Sequence, residues 1–206
     1  MKINLLDSLK KYGLYMLLIT AVFLTACGDD DEPEVVNEVE VITDVTLVFT
    51  NTADANDVVR ARAQDPDGEG VQELAILDQI TLTAGATYTL TYEILNALDP
   101  ADVEDIGEEI LEEDDEHQFF FSFSTDAFTS PEGNGNIDNA SDELNYTDTD
   151  DNQNPVGLTT SWTAGAALTG GTFRAVLKHQ PDVKTSTSTF NDGDTDFDLT
   201  FVLNIQ

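Results

Sequence analysis

The 206-residue sequence predicts an all-β fold, an antiparallel β-sandwich of immunoglobulin-like or jelly-roll type with eight or nine strands and one inserted short helix. Three observations carry that prediction. Apolar and polar residues alternate along most of the chain from Val39 onward, the period of half-buried strands. Clusters of Gly, Asp, Asn, Ser and Thr separate the alternating runs. A single stretch has helical period, whereas a doubly wound α/β fold needs a helix between successive strands.

In chain order, Val39, Val41, Val45, Leu47 and Phe49 share one face, with Glu40, Asp44 and Thr46 opposite. Val59, Ala61 and Ala63 alternate with Arg60 and Arg62, and Ile80 with Leu82 makes a short strand. Ala86, Tyr88, Leu90, Tyr92 and Ile94 alternate with Thr87, Thr89, Thr91 and Glu93. The helix is predicted from Asp99 as cap and Pro100 as first residue, with Val103, Ile106, Ile110 and Leu111 as its apolar stripe. Its acidic end, Glu112 to Glu116, opposes the helix dipole and predicts fraying there. His117, Phe119, Phe121 and Phe123 then line one strand face, and Phe120 is expected beneath the helix. A polar loop over 124–142 leads to a strand with Leu144 and Tyr146, a turn over 148–155, and a strand with Leu158, Thr160 and Trp162 facing the core. Phe173, Ala175, Leu177 and His179 form the next inward set, and Phe197 to Ile205 closes the chain in strict alternation.

The N-terminus reads differently. Lys2, Lys10 and Lys11 precede an apolar run from Leu14 to Ala26, shorter than the roughly 20 residues that span a bilayer. This is the pattern of a secretory signal peptide, residues 1–26. Leu24-Thr25-Ala26-Cys27 resembles the lipobox of bacterial lipoproteins, which implies that Cys27 becomes the first mature residue and carries the lipid. Cys27 is the only cysteine, so an intramolecular disulfide is impossible. Residues 27–38 are an acidic tether around Pro33, and 39–206 are the predicted domain. Acidic residues directly after the lipidated cysteine resemble the export signal of Bacteroidota surface lipoproteins, implying the cell surface at the outer membrane. Elsewhere, an Asp in that region marks retention at an inner membrane.

Segments across the mature chain, Glu38 to Thr43, Asp65 to Gly68, Asp115 to Phe121, Tyr146 to Asp150, Asn154 to Leu158 and Lys178-His179, resemble a family of small acidic Bacteroidota lipoproteins of unknown function. Members are sometimes labelled as type 1 periplasmic binding folds, which implies two α/β lobes. Alternating βα units are not in this sequence.

Charge narrows the partners. The full chain carries a formal charge of −33. Removing residues 1–26 takes away three lysines and one aspartate, which leaves 5 basic against 40 acidic residues and a charge of −35. Such a chain repels nucleic acid and anionic headgroups and attracts cations.

Three acidic turns are candidate Ca²⁺ sites, because Ca²⁺ takes six to eight oxygen ligands. Asp65, Asp67 and Glu69 alternate before Gly70, like the start of an EF-hand loop, but Ile76 stands where a bidentate Glu belongs. Asp148, Asp150 and Asn152 form the second, with Gln153 at the glycine position. Asp192, Asp194, Asp196 and Asp198 form the third. The competing reading is plain turns, since Asp and Asn side chains bond their own backbone. His117 and His179 both fall at strand ends in the inward register. On neighbouring strands they would meet near Asp115 or Glu116, as part of a Zn²⁺-type site or as hydrogen-bonded edge residues. The sequence holds neither G-x-S-x-G nor H-E-x-x-H, and the expectation is a non-enzymatic binding or scaffold module anchored through Cys27. The alternatives are capture of a small molecule or glycan for an outer-membrane transporter, and an envelope hydrolase.

Overall fold

The computed structural model describes residues 40–65 and 74–206, all within Val39–Gln206, the second of the chain's two units. Cys27, the tether, Asp67 and Glu69 lie outside the described residues. Eleven strands and one helix are present among them: β1 (Asp44–Asn51), β2 (Val58–Gln64), β3 (Ala75–Ile76), β4 (Ile80–Leu82), β5 (Thr87–Asn96), β6 (Glu104–Asp105), α1 (Ile106–Glu112), β7 (His117–Phe123), β8 (Phe128–Ser130), β9 (Thr160–Ala164), β10 (Leu168–His179) and β11 (Asp194–Ile205). Two of the eleven, β3 and β6, hold two residues each. Eight of the nine longer strands fall where the alternation predicts them, and the ninth, β8, lies in the stretch predicted as a polar loop.

The strands form two sheets. One runs β3-β2-β1-β5-β9-β8 with β6 beside β5, and the other runs β4-β11-β10-β7. All pairings are antiparallel except β4 with β11, where Ile80 and Leu82 lie parallel to Leu203 and Ile205. Register follows the alternation, because a slip of one residue would turn every apolar side chain outward. Thus Leu47 lies opposite Tyr92 and Phe49 opposite Leu90. In the second sheet Phe119 faces Leu177 and Phe121 faces the small Ala175.

Between the sheets the core is aromatic. Trp162 is fully buried and touches Phe121, Phe123, Phe128 and Phe173, at centroid distances of 5.2, 5.5, 4.9 and 5.0 Å. Phe49 of the first sheet meets Phe173 of the second edge-on at 5.5 Å. Offset and edge-on geometry suits the ring quadrupoles, and each buried ring contributes about 1.5–3 kcal/mol by leaving water. The indole N–H donates to Thr160 Oγ1 at 2.7 Å, so even this polar atom is satisfied inside.

Four local expectations change. The first strand begins at Asp44, later than the alternation from Val39 predicts. The helix begins at Ile106, because Asp99 closes a turn with the N–H groups of Ala101 and Asp102 while Glu104 and Asp105 extend against β5. Ile106 and Ile110 are buried as predicted, but Val103 and Leu111 are exposed. Phe120 lies under the 180–193 loop, where Phe190 packs edge-on at 6.5 Å, with Arg174 and Lys178 over the same Phe190 ring. Leu144 to Tyr146 contributes an isolated bridge, Tyr146 to Thr160, in place of a strand.

The outer edge of β7 is occupied by the 131–159 loop. Phe119 N–H donates to the Val156 carbonyl, Phe121 N–H to Asn136 Oδ1 and Phe123 N–H to the Asn134 carbonyl. Gly135 makes this approach possible. Its φ is +96°, and a Cβ there would sit 2.1 Å from the Phe121 carbonyl oxygen.

Candidate metal centre

Two strand ends and one bulge build the site. Inward parity along β7 puts His117 in line with Phe119 and Phe121, and parity along β10 puts His179 in line with Leu177. The register of β7 on β10 makes the two histidines direct partners. They meet, as the sequence predicts, but as a stack: ring centroids are 4.5 Å apart and the planes differ by 7°. Lone pairs lie in the plane of each ring, so an ion shared between parallel rings would stand out of both planes. Glu113, His117 and His179 do place donor atoms within 4.8 Å of one another, yet Glu113 is exposed. His179 instead directs Nε2 to Glu116 Oε2 at 3.1 Å, the neighbour the sequence anticipated.

His117 looks the other way. Its Nδ1 lies 3.1 Å from the Glu113 carbonyl, four residues back at the end of α1. A carbonyl only accepts, so Nδ1 carries the proton and Nε2 of the neutral ring presents its lone pair. Nε2 faces two carboxylates, Glu40 Oε1 at 3.2 Å and Asp196 Oδ2 at 4.0 Å.

The sequence names Asp196 only as part of a Ca²⁺ candidate turn, away from the histidines, and does not name Glu40 as a ligand. Asp196 shares the parity of Asp198, whose side chain is 40% exposed and pairs with Arg174 through bonds of 2.7 and 2.5 Å. Leu177 pairs with Phe197 but Lys178 with Thr195, so Asp196 is the extra residue of a β-bulge. A bulge re-aims its side chain, and here the Asp196 side chain is left only 7% exposed. Glu40, just before β1, has a side chain 10% exposed. His117 Nε2, Glu40 Oε2 and Asp196 Oδ2 are all buried without a hydrogen-bond partner; His117 Nε2 and Glu40 are in ion-pair range without donor alignment.

Electrostatics reflect the crowding. Burial pushes the Asp196 carboxyl up to about 6; Glu40 adds to the rise and the His117 ring opposes it. For His117 burial favours the neutral ring, but the Glu40 carboxylate, the Glu113 carbonyl and Asp196 outweigh it and raise its pKa.

The acidic turns are spent differently. Asp150, 2% exposed, accepts from the backbone of Asn152 at 2.9 Å and Asn154 at 2.8 Å, and from the Asn154 side chain at 3.0 Å. Lys184 Nζ lies 3.4 Å from Asp150 Oδ2, and both side chains are almost fully buried. Asp148 accepts from Gly157 and Thr159 N–H, each at 3.1 Å. Gln153 takes the left-handed backbone, φ 66°, that the turn reserves for glycine, and Asn152 is exposed. Asp65 is buried at the rim of the first turn. In the third, Asp192 accepts from Thr189.

Compared with family models, with curated proteins and with solved structures, the chain matches none.

Proposed function

We propose that the chain is a lipid-anchored envelope protein, akin to the small acidic Bacteroidota lipoproteins it resembles, acting as a non-enzymatic binding or scaffold module at the outer surface of the outer membrane. Cys27 in Leu24-Thr25-Ala26-Cys27 supplies the anchor. Two or more acyl chains make attachment stable where one is marginal. The observation that carries the module reading is the filled interior: Trp162 and its four ring neighbours occupy the space between the sheets, which directs recognition to the surface.

Labelled palmitate is expected in the wild type and not in Cys27→Ser, which should move to the soluble fraction. Label retained in Cys27→Ser overturns the anchor. Externally added protease should cleave the protein on intact cells, and cleavage only after lysis would move it to the periplasmic face.

A second reading, capture of a polar solute or glycan, is favoured by an open depression of about 580 Å³ lined by Thr129, Ser130, Glu132, Ser141, Glu143 and Asn145. Titration of oligosaccharides into Glu143→Ala and wild-type protein separates the two readings. Ca²⁺ at Asp65, Asp67 and Glu69 belongs to either as a stabiliser. A melting shift with Ca²⁺ that Mg²⁺ does not reproduce is the expected sign, and equal shifts would reduce it to ionic strength.

A further inference from the structure

We infer that Glu40, His117 and Asp196 form a binding site for one divalent transition-metal cation of the Zn²⁺ class, with His117 ligating through Nε2. The inference is independent of the anchor and of the module reading.

Four observations converge. Three donor atoms from three separate parts of the chain, the lead into β1, the start of β7 and the bulge of β11, lie within 4.8 Å of one another. Each side chain is at least nine-tenths buried, and each offers a buried atom that no hydrogen bond satisfies. A buried carboxylate oxygen without a hydrogen bond is costly, and two carboxylates side by side are costlier still unless a positive charge stands between them. The His117 ring is oriented as metal-ligating histidines are, with its other nitrogen bonded to a backbone carbonyl, here that of Glu113.

Distances fit the ion. Bonds of about 2.0–2.2 Å meeting at a tetrahedral angle place donor atoms about 3.3–3.6 Å apart. The 3.2 Å from His117 to Glu40 and the 4.0 Å to Asp196 bracket that range. One imidazole nitrogen with two carboxylates suits Zn²⁺ or its first-row neighbours, whereas Ca²⁺ demands a larger shell of oxygens. The ion would tie the first described residues of the domain to both β7 and β11.

The test uses the full chain carrying Cys27→Ser, so that the one thiol cannot bind metal, stripped with EDTA and dialysed at physiological ionic strength against Zn²⁺ or Ca²⁺. One equivalent of Zn²⁺ per chain is expected, with a melting midpoint raised by about 5–10 °C at a hundredfold excess over the dissociation constant. Ca²⁺ should not compete. Co²⁺ in place of Zn²⁺ should give the visible absorption of a tetrahedral N/O site. Glu40→Gln precedes the first strand and should fold normally by circular dichroism, yet lose Zn²⁺ affinity by more than about 100-fold, as should Asp196→Asn. Asp198→Asn, which removes the outward neighbour, should retain full uptake. Uptake that survives the Glu40→Gln/Asp196→Asn pair places the ion elsewhere and overturns the assignment. So does the lack of any stoichiometric uptake, which would make the cluster a protonated histidine held between two carboxylates.

Discussion

Asp150 in the 148–154 turn and the carboxylates of the Glu40–His117–Asp196 cluster are all withdrawn from solvent, but their charges are held in different ways. In the turn, Asp150 receives three N–H donors and the Lys184 ammonium, so every lone pair that would bind a cation already has a partner. In the cluster, Glu40, His117 and Asp196 each keep a buried atom without a hydrogen bond. Acidic spacing alone does not separate the two. What separates them is whether the fold supplies the compensating donors, and that is decided by residues far away in sequence.

Breaking the saturated turn should cost most. Lys184→Met leaves Asp150 buried without its counter-charge and should destabilise by about 3–5 kcal/mol in urea unfolding at neutral pH. A loss under about 1 kcal/mol would mean that the N–H donors alone balance Asp150.

Asp150→Asn should cost about 2 kcal/mol, since it discards charge-assisted bonds but keeps the amide's shape. Burial works to raise the Asp150 carboxyl, but the Asn154 bonds and Lys184 prevail and hold it below the ordinary carboxylate value. A depressed carboxyl contributes stability above its unfolded pKa, about 3.9, and loses it as pH falls through the lower folded value. The gap between wild type and Asp150→Asn should therefore close only below about pH 4. A gap that persists to pH 2 would show that charge does not hold the turn.

The cluster should respond with the opposite sign. With EDTA, Asp196→Asn removes an unsatisfied charge and should change stability by no more than about 1 kcal/mol, toward gain. With Zn²⁺ the same substitution should abolish the metal-dependent rise in the melting midpoint. A large loss in EDTA would mean that Asp196 is satisfied without an ion.

Asp198→Ala sharpens the contrast at the small end. It lies two residues along the same strand, is paired with Arg174 at the surface, and should cost at most about 1 kcal/mol, fading in high salt.

The sandwich was legible because period-two alternation is a local signal, carried most cleanly by β11 and the first half of β5, whereas β7 and the end of β10 are buried on both faces. The meeting of His117 with His179 was legible for the same reason: parity put both inward at strand ends. The rest of the site was not. Asp196 reads as one of four alternating aspartates in the third acidic turn, outward by parity, because a bulge without glycine has no sequence signature. Glu40 reads as outward because the sequence alternation continues back to Val39, whereas residues 40–43 pack differently, with Ile42 and Thr43 both buried. The helix start was missed because Asp99-Pro100 caps a turn as well as it caps a helix. Phe120 has period-two parity that says outward, and only the long return of the chain through Phe190 covers it.

The loop along β7 has a consequence between molecules. His117–Phe123 is an edge strand containing three consecutive phenylalanines, a segment that would template strand addition from another copy if its N–H groups were free. Val156, Asn136 and Asn134 take those groups instead, and Gly135 lets the backbone come close enough to do so. The same loop that shapes the rim of the depression thus guards the sheet against self-association, so that copies crowded together can stay separate without relying on charge alone.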